Sequence, residues 1–468
     1  MSREPEQMQE MSDDETFGLS ADVVTAVEDA LDAVEDSGNE ETLQEVGDLV
    51  ENLHEADAAD LLEQLGRKER KALMKVLGAG FDPEILPYLD TSVKEEIVEL
   101  LGPQGIANLL PSLDSDDQVD LFDDLDEELR MHILSALPMT YRRVIEEGLS
   151  YPESSAGRLM QRELVAVPSV WTVGETIDYM RVSDDLPDDF YDIYIVTPRH
   201  KAVGSVSLSK LLRSRRHMRL DEIIEEQLHT IPLVTDQEEV AHLFRQYSLV
   251  SAPVVDEQER LVGVITIDDV VDVIDEEAAE DIMKMGGVSE QDFYEDIVDT
   301  TKSRFAWLVV NLFTAIAASL VIGLFEGTIE QVVALAVLMP IVASMGGNAG
   351  TQTLTVAVRS LAMKDLSSSN AHRFVGKELL IGVINGLLFA ILAATVAWVW
   401  FESRQLAFII AAAMIINMIV AGLSGTLIPI GLDRLKIDPA IASSVFLTTV
   451  TDVIGFFAFL GLAAFFLL

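Results

Sequence analysis

The sequence predicts a multidomain protein that combines all-α, α/β and membrane parts. Three observations predict this fold: leucines recur at every twelfth residue, a strand–helix pattern occurs twice, and five apolar segments are long enough to cross ~30 Å of hydrocarbon. The predicted parts are an acidic tail over 1–18 that we expect to be disordered, an all-α superhelical domain over 19–150, an α/β pair over 151–275, a connecting helix over 276–302 and a five-helix transmembrane domain over 303–468.

The charge of this 468-residue chain is concentrated before the apolar segments. Residues 301–468 carry 8 of the 79 acidic and 9 of the 32 Lys and Arg side chains, which leaves the preceding residues with 71 acids against 23 bases. This asymmetry predicts two parts with different solvents, of which the acidic part repels nucleic acid and attracts cations. General acidic adaptation to a salty cytoplasm is the alternative explanation.

Composition also excludes several kinds of site. The chain has no Cys, so disulfides, thiolate metal sites and Cys nucleophiles are excluded, and its seven His are scattered without a zinc-type pair. The first residues are acidic and lack an apolar core, so we expect no cleaved signal peptide and a cytosolic soluble half.

The superhelix is predicted from a repeat of 12 residues. The repeated leucines are Leu65, Leu77, Leu89, Leu101, Leu113, Leu125 and Leu137. Each follows an apolar pair three and four residues earlier, which makes one apolar helical stripe per repeat. Gly, Asp or Pro comes directly after each leucine and favours a helix end there. Seven short helices that cannot bury their faces alone should therefore stack as a solenoid.

The middle module repeats a strand–helix–strand–strand–helix order at a separation of roughly 65 residues. It resembles a tandem pair of cystathionine-β-synthase-type (CBS) domains, a fold that often senses adenine nucleotides. In the second copy Gly263, Thr266 and Asp269 match the motif that grips a nucleotide, with Thr266 and Asp269 as the implied ligands. The first copy has Lys210 in place of the Asp, so the resemblance implies one nucleotide site rather than two. A purely structural CBS pair stays open as the alternative.

Acidic residues cluster between this module and the membrane segments. Asp272 and the carboxylates of residues 275–281 fall within ten residues, at the start of a helical segment that leads to Lys302. A solvated helix face and a functional cluster are both consistent with this run.

Five predicted spans cover about 305–325, 331–358, 375–400, 406–431 and 442–467. Lys and Arg concentrate in the connections 359–377 and 432–441, on the side of the acidic module, which predicts a cytosolic amino-terminal part. An odd number of spans then puts the carboxyl terminus outside.

The most informative membrane residue is Asp452, the only charged side chain in the run 442–468. A charge at mid-membrane costs roughly 2.5–3.5 kcal/mol even on the lenient insertion scale, so it usually faces protein or water and marks an ion path. Thr448, Thr449 and Thr451 surround it with hydroxyls that can hold water. The alternative is a buried Asp that is hydrogen-bonded to a neighbouring helix.

The second span contains small and neutral polar residues over 344–353, including Asn348. Its glycines permit close approach of backbones, and its amide and hydroxyl oxygens could line a hydrated path beside Asp452 and Asn417. Helix packing is the alternative. A few carboxylates among neutral oxygens suit a largely hydrated Mg²⁺, whereas the carbonyl filter of K⁺ channels is absent.

Over nearly its whole length the chain resembles the MgtE family of magnesium channels. The resemblance rests on the order of the parts, on PIVASMGGNAGTQT in the second span and on TDVIGFF around Asp452. It implies a homodimer with the pore between protomers, in which Asp452 and Asn348 match pore residues. It also implies closure when cytosolic Mg²⁺ bridges the soluble parts. The matching sensor residues are Glu84, Asp116, Asp120, Glu238, Asp269, Asp272, Glu277, Glu280, Asp281 and Asp438.

Three positions depart from the family pattern. Ser248 stands where an acidic sensor residue is expected, Ser444 where a pore-side Asn is expected, and Thr351 where the GGNxGNQ motif has a second Asn. Asp269 fits both the nucleotide motif and the metal set, and the sequence does not choose between them.

The sequence therefore predicts a channel that imports Mg²⁺ across the inner membrane and is closed by cytosolic Mg²⁺, with ATP or another adenine nucleotide as a further ligand that the CBS resemblance allows. A channel of the same architecture for Co²⁺ or Mn²⁺ is one alternative. A membrane-anchored nucleotide sensor that transports nothing is another. We expect no enzyme, because the sequence shows no nucleophile–base pair and no phosphate loop.

Overall fold

The computed structural model divides into two compact units, Met1–Val273 and Ile274–Leu468. It describes residues 23–27, 30–31, 46–47, 50 and 52–467, apart from residues 124, 184–185, 188, 226, 289–296 and 368. The predicted disordered tail over 1–18 lies outside the described residues.

The first part of unit 1 is all helical. Its helices are α1 (Glu55–Gln64), α2 (Arg67–Leu77), α3 (Thr91–Leu109), α4 (Ser115–Asp123), α5 (Glu127–Ala136) and α6 (Met139–Gly148). The repeated leucines lie in one continuous apolar core, in which only Leu101 keeps partial exposure. The stacking of short helices predicted from the 12-residue repeat therefore forms.

Two of the repeats depart from plain α-helix. Residues Pro83–Tyr88 form a 3₁₀ turn, since Pro83 and Pro87 supply no amide hydrogen for a regular helix. Helix α3 joins two repeats across a kink at Gly102, where φ is 69°. Glycine adopts this left-handed conformation without strain.

The second part of unit 1 contains two copies of one α/β unit. After the short helix α7 (Ala156–Leu159), the first copy has β1 (Val165–Pro168), α8 (Val173–Val182), β2 (Asp192–Val196), β3 (Ala202–Ser207) and α9 (Leu208–Arg213). The second has β4 (Ile231–Pro232), α10 (Gln237–Tyr247), β5 (Ser251–Val255), β6 (Leu261–Thr266) and α11 (Ile267–Gly286). In each copy the first two strands pair in parallel and the last two antiparallel. This is the predicted CBS pair.

The two copies begin their first helices differently. Thr172 and Glu175 form a capping box at the start of α8. In the second copy the cap is Asp236, whose side chain accepts from the amide of Glu238, rather than the preceding Thr235.

Unit 2 contains the membrane helices. They are α12 (Ile297–Gly323), the short α13 (Glu326–Gln331), α14 (Ala334–Ala362), α15 (Ala371–Phe401), α16 (Arg404–Arg434) and α17 (Pro439–Leu467). All but α13 are long and apolar enough to cross a membrane, as the sequence predicts. Helix α16 is the most buried of the five, and it packs against α14, α15 and α17.

Candidate ion path and candidate cation sensor

One face of α14 carries polar side chains at membrane depth. Ser344, Asn348, Thr351 and Thr355 follow each other at spacings of four, three and four residues, and all are exposed on the single chain. The hydroxyls of Thr351 and Thr355 donate to carbonyl oxygens of their own helix, each at 3.0 Å, so their oxygen lone pairs point outward. Because this face is exposed, its polar groups do not serve as packing contacts within the chain.

Asp452 lies on α17 with similar surroundings. The hydroxyls of Thr448 and Thr449 donate to carbonyl oxygens of the preceding turn, at 3.0 and 2.6 Å. The Asp452 carboxylate is partly exposed and has no hydrogen bond or ion pair among the residues that the structure describes. It is therefore not a buried Asp tied to a neighbouring helix within this chain, which was the alternative explanation for its presence.

Glycine brings the two polar helices together. A Cβ atom added at Gly350 of α14 would lie 2.8 Å from Leu447 Cδ1 of α17, closer than real Cβ contacts allow. A larger residue at this position would displace the Leu447 side chain. The close approach places the helix that carries Asn348 directly beside the helix that carries Asp452.

Asn417 of α16 connects these helices from behind. Its side chain is completely buried, and its Nδ2 donates to the carbonyl oxygen of Val342 at 2.7 Å. It fits between two glycines, because a Cβ at Gly346 would lie 2.1 Å and a Cβ at Gly455 2.9 Å from Asn417 Nδ2. Its Oδ1 accepts no hydrogen bond within the described part of the chain. Asn417 therefore positions the helices instead of facing the polar stripe of α14.

Sequence reasoning missed an acid that is buried among the membrane helices. Glu378 of α15 is 6% exposed, and its Oε2 accepts a hydrogen bond of 3.1 Å from the hydroxyl of Thr353 on α14. A Cβ at Gly422 of α16 would lie 3.0 Å from the Glu378 carbonyl oxygen, so α15 and α16 meet closely here. The position of Glu378 within the predicted span 375–400 was the available signal.

Unit 1 brings several of the predicted sensor acids together. Asp116 and Asp117 lie in the first turn of α4, and Asp269 lies in the first turn of α11. Burial raises the pKa of Asp117 and of Asp269 to about 7, with nearby carboxylates adding to the shift. Burial and then the Asp269 charge raise the pKa of Asp116 well above its usual range. Asp117 was not predicted, although it directly follows Asp116.

The 3₁₀ turn that carries Glu84 contributes to the same region. The pKa of Tyr88, at the end of this turn, is raised by burial and then by the charges of Glu55 and Asp272. Asp272 thus lies near the turn. Asp120 instead forms an ion pair of 2.8 Å with the buried Lys94, which sequence reasoning also missed. Glu238 lies in the first turn of α10, where its amide is capped by Asp236.

The remaining predicted sensor acids lie in unit 2, and three of them lie around Lys284. Lys284 Nζ is 3.0 Å from Asp438 Oδ2 and also pairs with Glu280. The pKa of Asp281 is raised by burial and then by the Asp438 charge, so this carboxyl lies in the same group. The spacing of four residues between Glu280 and Lys284 was a signal for their pairing. Glu277 lies one turn before Asp281 on α11.

These groups fit a hydrated divalent cation better than a stripped one. In the described ranges no three His or acidic side chains converge as a preformed metal cage. Mg²⁺ keeps several waters and commonly uses only one or two carboxylates, so neighbouring acids whose pKa is raised by burial and then by each other's charge suit it. Asp116, Asp117 and Asp269 would hold such an ion in unit 1, and Asp281 with Asp438 would hold one in unit 2.

The two predicted nucleotide residues are hydrogen-bonded to each other. Thr266 Oγ1 donates to Asp269 Oδ2 at 2.9 Å, and Asp269 belongs to the acidic group of unit 1. The cleft beside Thr266 has Glu163, Asp189 and Asp192 in its lining and no Lys or Arg among its described lining residues. Its charge therefore opposes a nucleotide triphosphate.

Comparison with known proteins identifies related sequences over most of the chain. The family model MgtE, described as a divalent cation transporter, matches residues 339–462. The MgtE intracellular N domain matches residues 53–154, and the CBS domain matches residues 220–276.

Two curated relatives are both called magnesium transporter MgtE. The protein of Thermus thermophilus is 32% identical over 433 residues, which covers 91% of this chain and 95% of the relative. The protein of Enterococcus faecalis is 34% identical over 69% of this chain and 71% of the relative. Among solved structures, the cytosolic domain of the Mg²⁺ channel MgtE in complex with ATP matches at 29% identity and a TM-score of 0.49, covering 53% of this chain and 99% of that chain.

Proposed function

Because this chain belongs to the MgtE family of divalent cation transporters, we propose that it is a channel that imports Mg²⁺ and closes when cytosolic Mg²⁺ binds to it. It is a multi-pass membrane transporter and not an enzyme. The observation that carries the proposal is the unpaired, partly exposed Asp452 carboxylate on a membrane helix. A charge in that place requires water or an ion beside it.

A second copy of the chain would complete the ion path. In the single chain the polar face of α14 is exposed and Asp452 of α17 is partly exposed, and lipid would leave the Asp452 carboxylate without a hydrogen-bonding partner. A homodimer that apposes these faces would enclose a hydrated path. Asp452 would attract the dication there, while Asn348 and the threonine oxygens would hold its water shell.

The acidic groups supply the proposed control. At low Mg²⁺ the clustered carboxylates repel one another, which favours states in which they are apart. Mg²⁺ bound between Asp116, Asp117 and Asp269, and between Asp281 and Asp438, would favour the compact state and close the channel. Such a ligand shifts the equilibrium only by its different affinity for the two states, so several weak sites acting together give a steep response.

The charge of the connections supports an orientation in the inner membrane with the amino-terminal part in the cytosol. Arg359, Lys364, Arg373 and Lys377 lie between α14 and α15 or at their ends. Arg434 ends α16, and Lys436 lies between α16 and α17. Five spans then put the carboxyl terminus outside.

The test is Mg²⁺ uptake into liposomes that contain the purified full-length protein, at several Mg²⁺ concentrations on the side of the soluble unit. We expect uptake that falls steeply as that concentration rises. Lack of uptake would contradict the channel, and uptake independent of the soluble-side Mg²⁺ would contradict the control.

Two other functions are separated by the same assay. A channel for Co²⁺ or Mn²⁺ would conduct these ions in preference, and Mg²⁺ would compete poorly. A nucleotide sensor without transport would show no flux, and it would bind an adenine nucleotide despite the three carboxylates of the cleft beside Thr266. A nucleotide sensor without transport does not explain the charged Asp452 on a membrane helix. The Mg²⁺ channel is therefore better supported than that sensor.

A further inference from the structure

The carboxyl-terminal end of α11 belongs to unit 2, where polar and apolar contacts hold it in place. Lys284 forms the ion pair of 3.0 Å with Asp438, which directly precedes α17. The Ser444 hydroxyl donates to the carbonyl oxygen of Met285 at 3.1 Å. Met285 also packs against the buried cluster of Leu354, Val358, Ala440 and Leu447. We call this set of contacts the latch.

Directly after α11 the backbone accepts only glycine at position 287. Gly287 adopts φ of 70°, and a Cβ there would lie 1.9 Å from Trp307 Nε1 on α12. Glycine is thus required both by its conformation and by the adjacent indole. The end of α11 is held in one defined place against α12 and α17.

The latch contains a cation that belongs to the protein itself. Burial alone would lower the pKa of Lys284, but hydrogen bonds to Glu280 and Asp438 outweigh it and raise the pKa. The ammonium therefore stays charged at neutral pH. It faces three carboxylates, Glu280, Asp281 and Asp438, and it neutralises one of their three charges.

On the basis of the proposed function, we propose that Lys284 is a tethered cation that holds the latch closed before Mg²⁺ binds and so sets the Mg²⁺ concentration at which the channel closes. Its ammonium bridges Glu280 of α11 and Asp438, which directly precedes α17. Mg²⁺ then has to neutralise only the remaining carboxylate charge, mainly at Asp281. Lys284 thus acts as a positioning residue for gating and does not touch the conducted ion.

The sign of its effect separates this role from simple competition. If Lys284 helps to close the latch, removing its charge makes closure require more Mg²⁺. If Lys284 only competed with Mg²⁺ for the same carboxylates, removing it would make Mg²⁺ bind more tightly and close the channel at a lower concentration.

The experiment compares Lys284→Gln, Lys284→Arg and Lys436→Gln in the full-length protein reconstituted in liposomes. Lys436 is an exposed base two residues before Asp438, so Lys436→Gln removes the same charge near the latch without removing the ion pair. We expect Lys284→Gln to raise the Mg²⁺ concentration of half-closure by roughly threefold, the shift that loss of one partly exposed ion pair gives, with no shift for the other two variants. An unchanged or lowered half-closure concentration in Lys284→Gln overturns the proposal, as does an equal shift in Lys436→Gln.

A second measurement does not depend on transport. The chain has no native Cys, so the pair Met285→Cys and Ala440→Cys can be cross-linked specifically in the detergent-solubilised full-length protein. At low Mg²⁺, Lys284→Gln should slow cross-linking several-fold, and high Mg²⁺ should restore it. Cross-linking that ignores Lys284 overturns the tethered cation. Cross-linking that depends on Lys284 in a protein without Mg²⁺ flux leaves the latch standing and overturns only the channel.

Discussion

The Thr353 hydroxyl of α14 donates a hydrogen bond to the Glu378 carboxylate of α15 across 3.1 Å, in a buried place between membrane helices. Thr353 lies five residues after Asn348, so this bond holds the half of α14 that follows the proposed ion path. Helix α16 separates α14 from α15 over most of their length, which makes the bond one of few ties between them.

Breaking this bond should impair transport without a direct effect on the conducted ion. We expect Thr353→Val and Glu378→Leu each to lower the free energy of unfolding by about 1–2 kcal/mol, and to lower Mg²⁺ flux in liposomes. Glu378→Gln keeps an acceptor oxygen and should stay close to wild type. The double variant should cost little more than either single change, since both remove one bond. Fully additive effects would show that the two side chains act separately.

Asp452→Asn tests the ion path most directly. The change keeps shape and hydrogen bonding but removes the charge that attracts a dication, so we expect Mg²⁺ flux to fall by about tenfold or more. Thermal stability should not decrease, because the substitution removes an unpaired charge from a membrane helix. Asp433→Asn, an equal change at the exposed carboxyl-terminal end of α16, is the control and should conduct normally. Normal flux in Asp452→Asn would remove this residue from the path.

The raised pKa values of Asp117 and Asp269, about 7 against an ordinary 3.8, predict the pH dependence of unit 1. Between about pH 4 and 7 the folded unit keeps protons that the unfolded chain has released, so without divalent ions its stability should fall as pH rises through this window. Mg²⁺ needs the ionised carboxylates. Its protection against protease should therefore be stronger at pH 8 than at pH 6.

A double variant assigns this pH dependence to the two residues. Asp117→Asn with Asp269→Asn should raise stability at pH 8 without Mg²⁺ and should weaken Mg²⁺ protection at both pH values. Glu127→Gln with Glu128→Gln removes the same charge from the exposed first turn of α5 and should change neither. Equal Mg²⁺ protection at pH 6 and 8 in the wild type would contradict a sensor made of these acids.

Asn417 should matter for stability more than for ion contact. Asn417→Ala removes the bond to Val342 and leaves a void between Gly346 and Gly455, so we expect a loss of about 1–3 kcal/mol, seen as a lower unfolding temperature in detergent. Thr395→Ala removes a hydroxyl that only bonds its own helix, and it should be nearly neutral. If both variants unfolded at the wild-type temperature, Asn417 would not hold α14 and α16 together.

The sequence alone determined the parts whose signals are periodic or local. The 12-residue spacing of Leu65 and its successors predicted the stacked helices, because each short helix must bury one stripe against the next. Apolar length predicted the five spans, and the cost of a membrane charge pointed to Asp452. Local proline chemistry altered the turn at Pro83–Tyr88.

Only the tertiary structure decided which charges are neighbours. It places Asp117 with Asp269 from separate helices, and it pairs Asp120 with Lys94 and Asp438 with Lys284. The two residues of each pair are more than one helical turn apart in the sequence, so no helical or strand period relates them. Periodicity shows which face of an element is buried, whereas an ion pair depends on how separate elements pack, and that packing decides whether an acid faces a lysine or another acid.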